Sequence, residues 1–194
     1  SWYFYRYLDA HNDSEFAAEP SRDAWMPVDL YMGGAEHTTM HVLYSRFWVK
    51  ALYDLGLVKS DEPYSVRRNR GLILGPDGNK MSKSKGNVID PDEIVNRLGS
   101  DTVRMYLAFM GPYGVTGNYP WDPNGVVGVH RFLERVWRIQ SKVSDTSKET
   151  GEMEILLNKT IKAIGEDIEE YKFNTAISKM MILMNAWEKN DTIS

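Results

Sequence analysis

Lys80-Met81-Ser82-Lys83-Ser84-Lys85-Gly86-Asn87 is a loop rich in lysines and hydroxyls, and its flanks define the local fold. Before it, Gly71-Leu72-Ile73-Leu74 has the composition of a short strand and Gly75-Pro76-Asp77-Gly78 that of a turn. After it, Asp90-Pro91-Asp92-Glu93 predicts a helix start, with Asp90 as N-cap, Pro91 at the first helical position and Glu93 at the third. Lys80 and Lys83, three apart in such a loop, can converge on a polyphosphate, each ammonium acting as a compact point charge. Gly78 and Gly86 would let the loop close over that ligand and reopen. A solvated basic loop is the competing reading of an arbitrary lysine pair at this spacing. The strand and turn on one side and the capped helix on the other favour phosphate binding. Between residues 59 and 85, seven cations (Lys59, Arg67, Arg68, Arg70, Lys80, Lys83, Lys85) stand against Asp61, Glu62 and Asp77, about +4 on a chain of formal net charge −4.

Upstream, Val28-Asp29-Leu30-Tyr31-Met32 predicts a short strand that stops at Gly33-Gly34. From Glu36 to Leu55 the periodicity is helical, with Met40, Leu43, Tyr44, Phe47, Ala51 and Leu55 as the apolar stripe and Gly56 just past the end. A strand, two glycines and a helix start suit a nucleotide, because small residues let a ligand approach backbone N–H groups. Residues 1–8 read as a short aromatic helix or strand, and 9–27 as a polar loop with Pro20 and Pro27. Downstream, Gly99 interrupts the helix begun at Asp90, and Ser100 or Asp101 can cap the next, Thr102 to Met110. Residues 111–124, rich in proline and glycine, read as a loop and domain boundary. Beyond Pro123 the pattern is helical. Val129, Phe132, Leu133, Val136, Trp137 and Val143 form one stripe, and the segments 153–170 and 174–188 carry Ile155, Leu156, Ile161, Ile164, Ile168, Ala176, Ile177, Met180, Met181, Met184 and Trp187 as bundle core. Residues 144–152 read as a polar linker.

With 194 residues the chain can build one domain, or one domain and part of another. At 42% hydrophobic and 26% charged it is not a disordered chain. It has no cysteine, which excludes disulfides, thiolate metal sites and cysteine nucleophiles and fits a reducing compartment. No run of about 18 apolar residues predicts a membrane span. The mild acidity excludes a uniformly basic nucleic-acid coat but not a local basic face. The opening Ser1-Trp2-Tyr3-Phe4-Tyr5 has neither an initiator Met nor the features of a signal peptide, so the chain reads as a slice of a longer protein.

Lys80 to Ser84 matches, residue for residue, the Lys-Met-Ser-Lys-Ser element of class I aminoacyl-tRNA synthetases. Lys85-Gly86-Asn87-Val88-Ile89-Asp90-Pro91 and Gly99-Ser100-Asp101-Thr102-Val103-Arg104 also resemble that family. Tyr31-Met32-Gly33-Gly34-Ala35-Glu36-His37, Met40-His41, Leu43-Tyr44, Arg46-Phe47, Ser1-Trp2-Tyr3 and Arg6-Tyr7 resemble its leucine-specific branch. The isoleucine, valine, methionine and cysteine branches carry an Asp where this chain has Glu36. The resemblance covers roughly residues 1–140; the remainder is similar only in helical character.

The resemblance implies an α/β fold, the C-terminal half of a Rossmann-like class I synthetase catalytic domain, followed by an α-helical bundle. It implies a catalytic-domain half over 1–88, a helical connection over 89–122 and the start of an anticodon-binding-like domain over 123–194. The implied reaction is ATP-dependent activation of leucine and its transfer to tRNA(Leu), with ATP entering as Mg-ATP, in the cytoplasm. Lys80 and Lys83 become the catalytic pair, and Gly33, Gly34, Glu36, Leu72, Ile73, Met81, Ser82 and Ser84 join them in ATP binding. Glu36 would accept the two ribose hydroxyls, a diol being a natural partner for a carboxylate; a plain first-turn Glu is the alternative. Leu72 and Ile73 would meet adenine, or else are ordinary strand core. Tyr3, His37 and His41 would line the leucine pocket.

Residues four apart such as His37 and His41 also suit zinc, but with no cysteine and only His11 and His130 besides, no protein-bound metal is expected. Arg131, Arg135, Arg138 and Lys142 form one basic stripe that could face tRNA phosphates or simply be solvated. The family's His-x-Gly-His-type element is absent from these residues, so an N-terminal half of the same protein is the expected partner, and the isolated 194 residues are expected to be inactive. Two other readings stand beside this one: a non-catalytic nucleotide- or tRNA-binding module, and a class I synthetase for another aliphatic amino acid.

Overall fold

In the computed structural model the described residues are 3–113, 117–143 and 151–189; the side chain of Tyr3 lies outside them, as does the expected linker up to residue 150. The chain forms two compact units, Ser1–Gly71 and Leu72–Ser194. The lysine loop therefore belongs with the helices that follow it. The division falls at Leu72, which immediately precedes the strand that pairs within the second unit and whose carbonyl accepts a bond from Tyr119 of that unit.

In the first unit a 3-10 helix, Tyr3–Asp9, leads to helix α1, Glu19–Trp25. This helix lies inside the expected 9–27 loop. Pro20 occupies its first turn, where a missing N–H costs nothing, so a proline that reads as a loop marker here starts a helix. Strand β1 (Val28–Gly34) runs through both glycines, a five-residue 3-10 helix follows at Ala35–Thr39, and helix α2 spans His41–Asp54. The predicted single helix from Glu36 is thus broken at Met40, whose backbone (φ −117°, ψ −104°) is not helical. Gly56 closes α2 as expected: at φ +71° its N–H bonds the Tyr53 carbonyl (2.9 Å) and the Leu57 N–H bonds that of Leu52 (2.9 Å), the paired bonds of a Schellman end.

Strand β2 (Tyr64–Arg70) pairs in parallel with β1, with Val28 opposite Tyr64, Tyr31 opposite Arg67 and Gly34 opposite Arg70. Nothing in the arginine-rich Tyr64–Arg70 segment reads as a strand; pairing with β1 imposes it. The core gathers Tyr5, Val49 and Leu52 with Phe4, Leu8, Phe16, Met26 and Val58. The buried face of α2 is therefore Val42, Ser45, Val49 and Leu52, whereas Met40, Leu43, Tyr44, Phe47 and Leu55 are exposed, Phe47 by 72%. Helix α2 is apolar nearly all round, so periodicity alone names a stripe without saying which one meets the core.

In the second unit β3 (Ile73–Leu74) pairs in parallel with β4 (Tyr119–Pro120), which lies inside the expected 111–124 loop. The lysine loop follows β3. Helices α3 (Pro91–Leu98), α4 (Ser100–Phe109), α5 (Pro123–Ile139), α6 (Gly151–Glu169) and α7 (Phe173–Trp187) complete the described residues. Asp90 caps α3 as expected, its carboxylate accepting the Asp92 N–H at 2.9 Å. Gly99 (φ +85°) ends α3 and begins α4, so Ser100 and Asp101 lie inside α4 and do not cap it.

One core joins Tyr106, Trp121, Val126 and Val129 with Ile73, Met81 and Ile94; another joins Phe132, Ile139 and Met184 with Met105, Met180 and Trp187. Trp137 (74% exposed), Val136, Val143, Ile155, Ile161 and Ile168 are on the surface, contrary to the expected stripes. No helix among the described residues is long and apolar enough to cross a membrane.

Candidate functional site

In open parallel sheets, ligands collect beyond the C-terminal ends of the strands. At that end of β1 a cavity of about 310 Å³ is lined by Tyr31, Met32, Gly33, Gly34, His37, His41 and Arg67. Four of the expected residues, Gly33, Gly34, His37 and His41, thus come together. Glu36 lies beside them: its carboxylate folds back over Gly34 so closely that a Cβ there would collide with it. It sits in the first turn of the short 3-10 helix and not at the start of α2. His37 and His41 lie on either side of the Met40 break and do not share one helix face, yet their rings meet edge-on at 6.4 Å.

Tyr31 Oη and His41 Nε2 are 2.7 Å apart. When that nitrogen carries no proton the phenol donates to it. Burial holds the His41 imidazole below its ordinary pKa, and the positive charges of His37 and Arg67 push the same way. The Tyr31 ring stacks on Tyr64 (4.2 Å between centroids, 9° between planes). Tyr64 Oη in turn donates to Ser45 Oγ (2.7 Å), which donates to the Val42 carbonyl (2.9 Å) of α2.

Arg67 reaches across from β2. Nη1 donates to the carbonyls of Arg68 (2.7 Å), Tyr31 (3.3 Å) and Gly33 (3.5 Å), and Nη2 to that of Gly34 (3.1 Å). Its guanidinium carbon lies 5.3 Å from the Tyr31 ring centroid. Neither Tyr31 nor Arg67 is among the expected site residues. The place of Tyr31 just before the glycines is a usable signal. Arg67 has none, because its neighbour in space is 36 positions away in the register. Among the described residues no group of three His, Cys, Asp or Glu side chains could hold a metal ion.

The second unit carries the lysine loop. An antiparallel bridge from Leu74 to Lys80 and the Gly78 N–H to Gly75 carbonyl bond (2.9 Å) close its entry turn, with Gly78 at φ +73°. Asn87 clips the loop together: its Oδ1 accepts the Ser82 N–H (2.8 Å), and its Nδ2 donates to Asp77 Oδ1 (3.2 Å) and the Lys80 carbonyl (3.3 Å). Hydrogen bonds from Asn79 and Asn87 hold the Asp77 carboxyl below the usual range. Lys83–Lys85 is one 3-10 turn ended by Gly86 at φ +66°, and the hydroxyls of Ser82 and Ser84 meet at 2.8 Å.

Lys80, Lys83 and Lys85 are exposed, and none of them forms an ion pair among the described residues. Met81 is packed against the Tyr106–Trp121 core, so the signature alternates charges facing water with an apolar anchor. Ile73 is packed in the same core, as the ordinary-strand reading expects. The ladder to β4 uses the Leu72 and Leu74 carbonyls, which receive the Tyr119 and Trp121 N–H groups at 3.0 Å each. Strand alternation therefore turns the N–H and C=O of Ile73 to the opposite edge.

The basic stripe on α5 divides. Arg135 is engaged by Glu188 (Nε–Oε1 2.8 Å, Nη2–Oε2 2.6 Å) and Asn185 (2.5 Å), and Lys142 Nζ donates to the Glu188 carbonyl (3.0 Å). Arg135 fastens α5, and Lys142 the 3-10 turn that follows it (Gln140–Lys142), to the C-terminal end of α7. Arg131 and Arg138 are exposed.

The family model of tRNA synthetases class I (I, L, M and V) matches residues 10–118, more than half of the chain. The chain belongs to the class I tRNA synthetases. Within that family it is 50% identical to the leucine–tRNA ligase of Alkaliphilus oremlandii (strain OhILAs) over 194 residues, 100% of this chain and 24% of that protein. It is also 50% identical to the leucine–tRNA ligase of Bdellovibrio bacteriovorus over 190 residues, covering 95% and 24%. Among solved structures it is similar to the Agrobacterium radiobacter K84 agnB2 LeuRS–tRNA–LeuAMS ternary complex (TM-score 0.83, 33% identity, 97% of this chain and 26% of that one). It shares its fold with Mycobacterium tuberculosis methionyl-tRNA synthetase (TM-score 0.62, 22% identity, 92% and 36%). This synthetase chain thus spans about a quarter of the length of the curated relatives it matches. Its fold is class I synthetase-like, mostly helical with small parallel sheets.

Proposed function

We propose that this chain is part of a leucine–tRNA ligase. Residues 1–88 would be the later half of its Rossmann-like catalytic domain, 89–122 a helical connection and 123–194 the first helices of an anticodon-binding-like domain. The observation that carries the reading is 50% identity to a leucine–tRNA ligase along all 194 residues. The whole enzyme, working in the cytoplasm, would take leucine, Mg-ATP and tRNA(Leu) as substrates. A leucine carboxylate oxygen attacks the α-phosphorus, the bond to the β-phosphate oxygen breaks, and pyrophosphate leaves with the electron pair. A terminal ribose hydroxyl of the tRNA then attacks the leucyl carbonyl carbon, and AMP departs.

The chain's residues serve these steps by positioning and by charge. In the first unit the cavity holds the leucine side chain between Tyr31, His37 and His41, and Glu36 accepts the ribose diol beside Gly33 and Gly34; Tyr3 is assigned to the leucine pocket on the family resemblance. In the second unit the outward edge of Ile73, with Leu72, receives adenine. Lys80 and Lys83 present their ammonium groups to the departing pyrophosphate, while Met81, Ser82 and Ser84 hold the loop in shape around them. Arg131 and Arg138 face tRNA phosphates, and Arg135 and Lys142 brace the helix that carries them.

Leucine, isoleucine, valine and methionine compared side by side in ATP–pyrophosphate exchange with the full-length protein test the reading. Leucine is expected to support the fastest exchange. A preference for another of the four makes the protein a synthetase for that amino acid, and exchange with none makes it a non-catalytic nucleotide- or tRNA-binding module.

A further inference from the structure

We propose that Arg67 is a positioning residue of the amino-acid pocket: its guanidinium fork ties down the backbone at the end of β1, and its face holds Tyr31 against His41. The inference rests on reading the 310 Å³ cavity as the pocket for the amino-acid substrate. Gly34 has no Cβ and so leaves the space into which the Glu36 carboxylate folds back, and the same lack leaves the wall without a side chain to hold it. No side chain of the two glycines can restrain it. Arg67 does so from the neighbouring strand, donating to the carbonyls of Tyr31, Gly33 and Gly34. A Cβ on Gly33 would stand 3.4 Å from Arg67 Nη2, so the guanidinium lies directly against this part of the wall.

The same group has a second contact, with the Tyr31 ring, whose hydroxyl reaches His41 at 2.7 Å. Arg67, Tyr31 and His41 thus form a chain running from β2 through β1 to α2. Around His41 stand Tyr31 from β1, Arg67 from β2 and His37 from the short helix, with Tyr64 behind Tyr31 and Glu36 over Gly34. A permanent cation beside the His41 imidazole favours its neutral form, which suits a pocket for an aliphatic side chain. Lysine cannot replace it, having neither a planar face nor a fork.

The test uses the full-length protein with Arg67→Met, Arg67→Lys, Tyr31→Phe and the Arg67→Met/Tyr31→Phe pair. Arg67→Met is expected to raise the KM for leucine about tenfold in ATP–pyrophosphate exchange and the KM for ATP by less, since the same wall carries Glu36, and Arg67→Lys to restore little of the loss. The double variant is expected to be no worse than the poorer single one, because both changes cut the same chain. If Arg67→Met does not fold, Arg67→Lys carries the comparison, since it keeps the charge and loses the geometry. An unchanged leucine KM with only a lower melting temperature, or single effects that multiply in the double variant, overturns the inference. Should the wild type exchange with no amino acid, the pocket reading fails by itself. The histidine NMR signal that disappears in His41→Gln then decides the link: its titration moves upward in Arg67→Met if the chain exists and stays put if it does not.

Discussion

Lys83 and Arg67 are both cations, but their surroundings assign them different work. Lys83 stands exposed on a one-turn helix with no carboxylate paired to it among the described residues, leaving its charge available to a ligand. Lys83→Ala in the full-length protein is therefore expected to slow leucine-dependent ATP–pyrophosphate exchange by at least about tenfold; an unchanged rate would remove that lysine from the mechanism. Asn87 is the matching test of loop shape, since one amide joins Ser82, Asp77 and Lys80. Asn87→Ala is expected to raise the KM for ATP severalfold and leave that for leucine alone, as measured in the same assay. The lysine signature is legible in the sequence because its chemistry is local: turn, hydroxyls and cap all lie within a few residues. Arg67 escapes the same inspection, because what gives it a role is a cross-strand contact with Tyr31, 36 residues away.

At the level of elements, capping and turn chemistry are legible and burial is not. Asp90 at the start of α3 and Gly56 after α2 behave as their residue types predict, because a side-chain acceptor or a left-handed backbone acts over two or three residues. Gly99→Ala places a Cβ at φ +85° between two helices and is expected to destabilise the fold by about 1 kcal/mol or more, seen in denaturant unfolding. The faces of α2 and α5 are a different matter, since Phe47 and Trp137 are apolar, helically spaced and exposed.

Glu62, which ties the segment before β2 to α2, offers a pH test. Hydrogen bonds from Arg46 (Nε to Oε2, 2.8 Å; Nη2 to Oε1, 2.5 Å), aided by Lys50, bring its carboxyl down to about 2. A folded pKa below the unfolded one contributes stability that is complete above the unfolded value of about 4.5 and is lost as pH falls toward about 2. Glu62→Gln is expected to flatten the fall in melting temperature across that window, and an unaltered slope removes the pair from the account.

For the molecule as a whole, the net charge of −4 is a sum over a basic loop and acidic helices, and no total locates a partner. The basic stripe on α5 and the 3-10 turn after it divides into Arg131 and Arg138, which are exposed, and Arg135 and Lys142, which hold the end of α7. In the full-length protein, Arg131→Ala or Arg138→Ala is expected to weaken tRNA binding and to reduce its salt dependence by about one phosphate contact each. Arg135→Ala is expected instead to lower thermal stability with a smaller change in salt slope. The sequence by itself determined the family resemblance, the lysine loop, the glycine break before Glu36 and His37, and the helical character of the second half. Each of these depends on residues close together along the chain. Only the tertiary structure decided that Tyr64–Arg70 is a strand, that Arg67 and Tyr31 belong to the pocket, and which faces of α2 and α5 are buried. Strand pairing and burial are set by partners distant in sequence, and the local pattern is compatible with more than one of them.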